Sequence, residues 1–171
     1  DVYKRQVTAL TERCSLKGKR VAIVGAGGAA RAIGFGILEN QAKVIVVNRT
    51  AKTGERLAAD LGGDFSPLTE IQKIACDVLI NTTPVGMFPD VDATPVPGTF
   101  FNAHMTVMDI IYTPLQTRLL KDATAAGCAT IQGLPMFVYQ GAFQFELWTG
   151  MQAPVEVMGA AVSEALGLDD I

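Results

Sequence analysis

The run Gly25-Ala26-Gly27-Gly28-Ala29-Ala30, set directly after Arg20-Val21-Ala22-Ile23-Val24, constrains this chain more than any other feature. A short β-branched run ending in glycines reads as a buried strand. Ala29 to Glu39, rich in Ala, Ile, Leu and Phe, reads as the helix that follows. Between a strand and a helix the pattern G-x-G-x-x-G/A has a physical meaning. The first glycine permits a tight turn, the second lets backbone approach a pyrophosphate, and the small third residue lets helix and strand pack closely. The helix N-terminus then faces the phosphates. The pattern predicts a dinucleotide cradle of Gly25, Ala26, Gly27, Gly28 and Ala29. The plainer alternative is a tight turn with no ligand.

The rest of the chain continues the alternation. Lys43 to Val47, Asp77 to Ile80, Thr106 to Asp109 and Ala129 to Ile131 read as strands, and Ala51 to Leu61 and Leu115 to Ala126 as helices. The segment around Phe65 is weak, and Phe88 to Gly98 is a loop. Strands alternating with helices predict an α/β fold, a doubly wound parallel sheet of the Rossmann kind. Pro135 to Trp148 and Pro154 to Leu166 read as two further helices. The first carries Met136, Phe137, Val138, Tyr139, Phe143, Phe145, Leu147 and Trp148, too many for one face. A helix apolar nearly all round must be buried on several sides, so it is expected to pack on a second domain. The division expected is residues 17–134 as the dinucleotide-binding domain and 135–171 as helices returning to that second domain. Residues 1–16 are expected to be a remnant of the inter-domain connection. Asp1 to Gln6 has no period or cap and is expected to be foreign to the domain.

The end of the second strand bears on which dinucleotide fits. A site for NAD usually places Asp or Glu about 20 residues after the glycines, on the ribose 2′-OH. Asn48-Arg49-Thr50 stands there instead. A carboxylate would repel a 2′-phosphate, whereas Arg49 can form charge-assisted bonds to one and Thr50 can donate another. NADP is therefore the expected cofactor. The structural alternative is Asn48 as a helix N-cap and Arg49 as a solvated charge.

Composition narrows the partners. Apolar residues make up 49% of the 171 residues and charged ones 18%, which argues against disorder. A formal charge of −3 leaves no footprint for nucleic acid or an anionic membrane. No apolar run approaches the roughly 20 residues of a membrane span. Cys14, Cys76 and Cys128 are widely spaced, an odd count that reads as reduced thiols in cytoplasm. His104 is the one histidine, expected on the surface of a polar loop, and no metal site is expected.

From Leu16 to about Gly150 the chain resembles the shikimate dehydrogenase family. The resemblance rests on the glycine run, Asn48-Arg49-Thr50, Asn81-Thr82-Thr83-Pro84-Val85-Gly86-Met87, Asp109-Ile110-Ile111-Tyr112-Thr113-Pro114, and Gly133-Leu134-Pro135-Met136 followed by Gln140, in that order. It implies reversible, NADP-linked reduction of 3-dehydroshikimate to shikimate, in aromatic amino-acid biosynthesis. It further implies that Asn48, Arg49 and Thr50 hold the 2′-phosphate, that Thr82 and Thr83 lie beside the cofactor, and that Gly133 and Met136 lie near the nicotinamide. Tyr112 and Gln140 would face shikimate, and Gln144, one helical turn on, matches a second glutamine of some members. For either glutamine the alternative is ordinary solvent exposure. The resemblance also implies a homodimer for the intact enzyme.

Two departures stand out. Members usually carry another basic residue three places after the threonine of Asn-Arg-Thr; here that place is Thr53, with Lys52 one step earlier, so the second phosphate contact is not carried over. The family's essential lysine and aspartate come from an upstream domain and a connecting Asn-Thr-Asp segment, absent from these residues. Hydride transfer to a ketone needs a proton donor near the oxygen, and no catalytic donor is expected within this chain. Asp109 is expected to bond locally at the strand-to-loop turn, and the 171 residues alone are expected to be inactive. The alternatives are an NAD-preferring quinate/shikimate dehydrogenase, a non-catalytic ligand-sensing module of the same fold, and a bifunctional parent with a dehydratase domain upstream.

Overall fold

The structure is a computed structural model that describes residues 7–167; the expectation for Asp1 to Gln6 lies outside the described residues. In chain order the elements are α1 (Thr8–Thr11), β1 (Arg20–Val24), α2 (Gly28–Glu39), β2 (Lys43–Asn48), α3 (Ala51–Leu61), β3 (Asp64–Pro67), β4 (Val78–Asn81), β5 (Thr106–Asp109), α4 (Arg118–Ala125), β6 (Ala129–Ile131), α5 (Leu134–Thr149) and α6 (Val155–Ala165). Short 3₁₀ helices lie at Leu68–Lys73 and Gly98–Phe100. The sheet is all parallel, in the order β3-β2-β1-β4-β5-β6. The order reverses between β1 and β4, and a crevice opens outside the carboxyl ends of strands at such a switch point.

The strand sequences account for a two-sided core. Side chains alternate across a sheet, so Val21 and Ile23 join Val44, Val46 and Ile80 on one face, against Ile33 and Ile37 of α2 and Leu57 and Leu61 of α3. Ala22 and Val24 join Ile45, Val47 and Leu79 on the other, against Leu119, Leu120 and Ala123 of α4. Strands covered on both faces need near-continuous apolar runs, and β1 and β2 have them. Residues 7–16 place Val7, Leu10 and Leu16 in the first of these clusters. The Tyr139 hydroxyl of α5 donates to Glu12 Oε1 at 2.9 Å, tying that segment to the C-terminal part of the chain.

Three boundaries differ from the sequence expectation for identifiable reasons. The weak segment at Phe65 is an edge strand, β3, whose Asp64 and Pro67 hide the strand pattern; edge strands tolerate both. Strand β4 includes Asn81, because that residue pairs with Val24 and Asp109 in register. Helix α4 begins at Arg118, three residues late, because the Thr117 hydroxyl accepts the Leu120 N–H and caps the helix there.

Helix α5 starts tight against the end of β5. A Cβ at Gly133 would strike the Ile110 carbonyl and come within 2.6 Å of the Ile111 carbonyl oxygen. The near face of α5 buries Leu134, Met136, Val138 and Ala142. Its far end leaves Leu147 66% and Trp148 77% exposed, and α6 has no buried residue. Gly133→Ala is expected to cost about 1–3 kcal/mol, because the obstacle is backbone that cannot swing away. Chemical denaturation measures it; an unchanged midpoint would mean that α5 sits further from the strand end than the structure places it.

Candidate functional site

The carboxyl ends of β1, β2, β4 and β5 form one rim. Gly25 leaves β1 with φ +116°, in the region that glycine favours. A Cβ there would run into the Thr82 hydroxyl, which occupies the space and donates to the Val24 carbonyl at 2.7 Å. Gly27 and Gly28 are bare for a different reason. A Cβ on either meets nothing within 4 Å, so both face open space at the N-terminus of α2. No side chain caps that helix and its first turn holds no acidic residue, so its positive end is left for a ligand anion. The cradle therefore has the shape and the charge that a diphosphate fits. Ala26 and Ala29 line it half-buried, while Ala30 packs into the core.

At the end of β2, the Asn48 amide nitrogen donates to the Thr50 carbonyl (2.9 Å) and to Thr53 Oγ1 (2.8 Å). Thr53 Oγ1 in turn donates to the Thr50 carbonyl at 3.1 Å. Asn48 thus does not cap α3; Thr50 holds that position, with no side-chain cap bond. Arg49 and Thr50 are exposed, and no ion pair of Arg49 occurs among the described residues.

The ends of β4 and β5 are held by a buried polar knot. Asp109, fully buried, accepts from the Thr117 hydroxyl (2.7 Å), Asn81 Nδ2 (3.0 Å) and the Ile111 N–H (3.1 Å). The remaining Asn81 oxygen accepts from the backbone and hydroxyl of Thr83, at 3.0 and 2.7 Å. One carboxylate therefore fixes both lips of the next cavity, about 380 Å³ in volume, which Thr82, Thr83, Met87, Ile111 and Tyr112 line. Burial pushes the Asp109 carboxyl up to about 6, although its three hydrogen bonds pull the other way. The local bonding expected of Asp109 is what the structure has. Asn81 and Thr117 were missed as its partners, and the available signal was a polar residue ending an otherwise apolar strand.

The expected substrate-facing residues fall into two neighbouring groups. The Tyr112 ring lies against Phe137 with centroids 4.5 Å apart, on the cavity just described. Gln140 and Gln144 line a separate cavity of about 470 Å³, with Gly28 and Ala29 opposite them and Phe143 and Trp148 beside. Met136 and Gly133 are buried, Met136 within the core cluster. His104 is exposed, as expected of a loop residue. Burial raises the thiol pKa at Cys14, Cys76 and Cys128, to about 12 at Cys76, so these cysteines are poor nucleophiles.

The Shikimate / quinate 5-dehydrogenase family profile matches residues 7–86, and that of the Shikimate 5′-dehydrogenase C-terminal domain matches residues 133–162. The NADP(+) shikimate dehydrogenase of Methanosarcina acetivorans is 45% identical over 161 residues, 88% of this chain and 57% of that protein. A crystal structure of the Thermus thermophilus shikimate 5-dehydrogenase, in complex with NADP(H) and shikimate, superposes with a TM-score of 0.82 at 35% identity, over 94% of this chain and 62% of that one. Quinate dehydrogenase from Corynebacterium glutamicum, in complex with NAD, gives 0.85 at 26% identity, over 95% and 60%. The chain thus spans a little over half the length of the curated relative.

The Asp109 carboxyl has a measurable signature. An unfolded aspartate releases its proton near 3.8, and the folded one holds it to about 6. Between those values the native state binds more protons, so stability is highest below the lower value and falls as pH rises through the higher. The difference amounts to about 3 kcal/mol at most. Asp109→Asn removes this component, since the Thr117 hydroxyl can turn to accept. Denaturant titrations between about pH 3.5 and 7 should show the variant's stability relative to the parent rising with pH. A constant difference would mean that the carboxyl ionises like an exposed one.

Proposed function

The chain belongs to the shikimate dehydrogenase family, and from that premise we propose that it forms the NADP-binding half of an enzyme interconverting 3-dehydroshikimate and shikimate. The observation that carries the reading is the open cradle at Gly27 and Gly28 beside a β2 end that presents Arg49 and no carboxylate. In this reading the first turn of α2 takes the pyrophosphate, and Arg49 and Thr50 take the 2′-phosphate. Asn48 braces that loop through its amide and presents its oxygen to the nucleoside. Thr82 and Thr83 form the wall beside the nicotinamide, with Gly133 and Met136 behind the far side of the cleft. When bound, the nicotinamide supplies the hydride chemistry.

The chain's own share is binding, orientation and exclusion of water. Tyr112 faces the substrate carboxylate, and Gln140 and Gln144 face its ring hydroxyls across the α2 N-terminus. Asp109 is turned inward to Asn81, Thr117 and Ile111, which leaves it to position Tyr112 and not to transfer the substrate proton. Proton transfer falls to the lysine and aspartate of the family's other domain. That domain covers the exposed apolar end of α5, where Leu147 and Trp148 stand ready, and the whole protein is a homodimer. Thiols with no disulfide among the described residues support a cytoplasmic setting. Arg49 disfavours the NAD-preferring quinate alternative.

Two outcomes are expected. Fluorescence titration should give clear preference for NADPH over NADH, with Arg49→Asp weakening NADPH by about 2 kcal/mol and Gly27→Val abolishing binding of both while the fold survives. Equal affinity for the two in the unmutated chain would sink the NADP reading. Separately, the 171 residues alone should produce no NADPH from shikimate at any protein concentration. Robust shikimate-dependent turnover would put the proton donor within these residues, with Asp109 and Tyr112 first to be mutated.

A further inference from the structure

Between the glycine loop and α3 lies a cavity of about 310 Å³ whose walls include Gly27, Gly28, Arg31, Thr53, Arg56 and Asp60. It carries two arginines and one carboxylate, and the three are not equivalent. Arg31 Nη1 lies 2.6 Å from Asp60 Oδ2, and the same guanidinium sits 5.7 Å over the Phe35 ring, so Arg31 and Asp60 largely cancel. No carboxylate among the described residues pairs with Arg56. Its charge is therefore the uncompensated one in this cavity.

Thr53 lines the same cavity. It follows the Asn48-Arg49-Thr50 turn by three residues. Here the Thr53 hydroxyl is taken up inside the chain, accepting from the Asn48 amide at 2.8 Å and donating to the Thr50 carbonyl at 3.1 Å. It fixes the turn and brings no charge. Residues three apart on a helix lie on the same face, so Arg56 presents its guanidinium one turn beyond Thr53, and both line the same cavity.

We propose that Arg56 is a specificity-determining residue for the 2′-phosphate of the dinucleotide, supplying from the second turn of α3 the cation that Thr53 does not. The inference rests on the NADP reading above. A guanidinium suits the role because its planar fork can bond two phosphate oxygens at once. Thr53 holds the loop still, and Arg49 at the end of β2 and Arg56 on α3 bond the phosphate.

The test uses the whole chain, with NADPH and NADH titrated by nicotinamide fluorescence and 2′,5′-ADP and 5′-ADP titrated by calorimetry. Arg56→Gln keeps the size of the side chain and removes the charge, and thermal melts of each variant check the fold. The expected result is that Arg56→Gln weakens NADPH and 2′,5′-ADP about five- to tenfold and shifts NADH and 5′-ADP less than twofold. Arg56→Lys should recover part of the loss. If Arg56→Gln leaves the preference for NADPH intact while Arg49→Asp abolishes it, the proposal is overturned and the NADP reading stands. The proposal also fails if Arg56→Gln weakens both dinucleotides equally. If the unmutated chain has no preference for NADPH, the NADP reading fails and takes this proposal with it.

Discussion

Gly25 has no side chain, and the closeness of β1 and β4 at the carboxyl edge of the sheet depends on that absence. The Thr82 hydroxyl stands where a Cβ would be and bonds the last carbonyl of β1. Val24 then pairs with Asn81, and Asn81 with Asp109, so three strand ends finish level. A level edge at a strand-order reversal opens a crevice between the loops that leave it. The glycine cradle, the Asn48 turn and the Tyr112 loop all hang from this edge. Any side chain at Gly25 would push the glycine cradle away from Thr82 and Thr83 at the end of β4.

The second constraint is electrostatic. A buried carboxylate is costly unless its oxygens are bonded, and Asp109 has three donors around it. Those donors belong to β4, to the chain just after β5 and to the start of α4. These bonds offset the cost of burying the charge, and they tie the chain after β5 at both ends, at Ile111 and at Thr117. Among the described residues no buried side-chain polar atom lacks a partner, so the knot is complete. The Tyr112 ring, resting on Phe137, inherits its position from it.

Helix α5 joins the two halves of the candidate site. Gly133 lets it begin against the backbone after β5, and its next turns carry Gln140 and Gln144 across to the N-terminus of α2. The same rigid element therefore sets the distance between the tyrosine side and the cradle side. Its apolar end projects past the sheet, because a single sheet face can cover only one side of a helix.

Much of this was legible in the residues alone. The alternation of apolar runs and glycine turns determined the parallel sheet, since strands buried on both faces must be apolar throughout, and β1 and β2 are. Gly25 to Ala29 determined the open turn before α2, because a Cβ at Gly25 would meet Thr82 while Gly27 and Gly28 face open space, and Asn48-Arg49-Thr50 left the end of β2 without a carboxylate. Tertiary structure alone decided the rest. Strand β3 exists because β2 offers it an edge, not because Asp64 to Pro67 favours one. The capping of α4 by Thr117, and not by anything at Leu115, follows from the position of Asp109 eight residues earlier. Asn48 turned out to brace a loop and not to cap a helix, because its partner Thr53 lies five residues on, at a distance only the folded turn closes. Sequence reports which groups a chain owns at local spacing; which buried donor meets which acceptor across strands is settled only when packing brings them within about 3 Å.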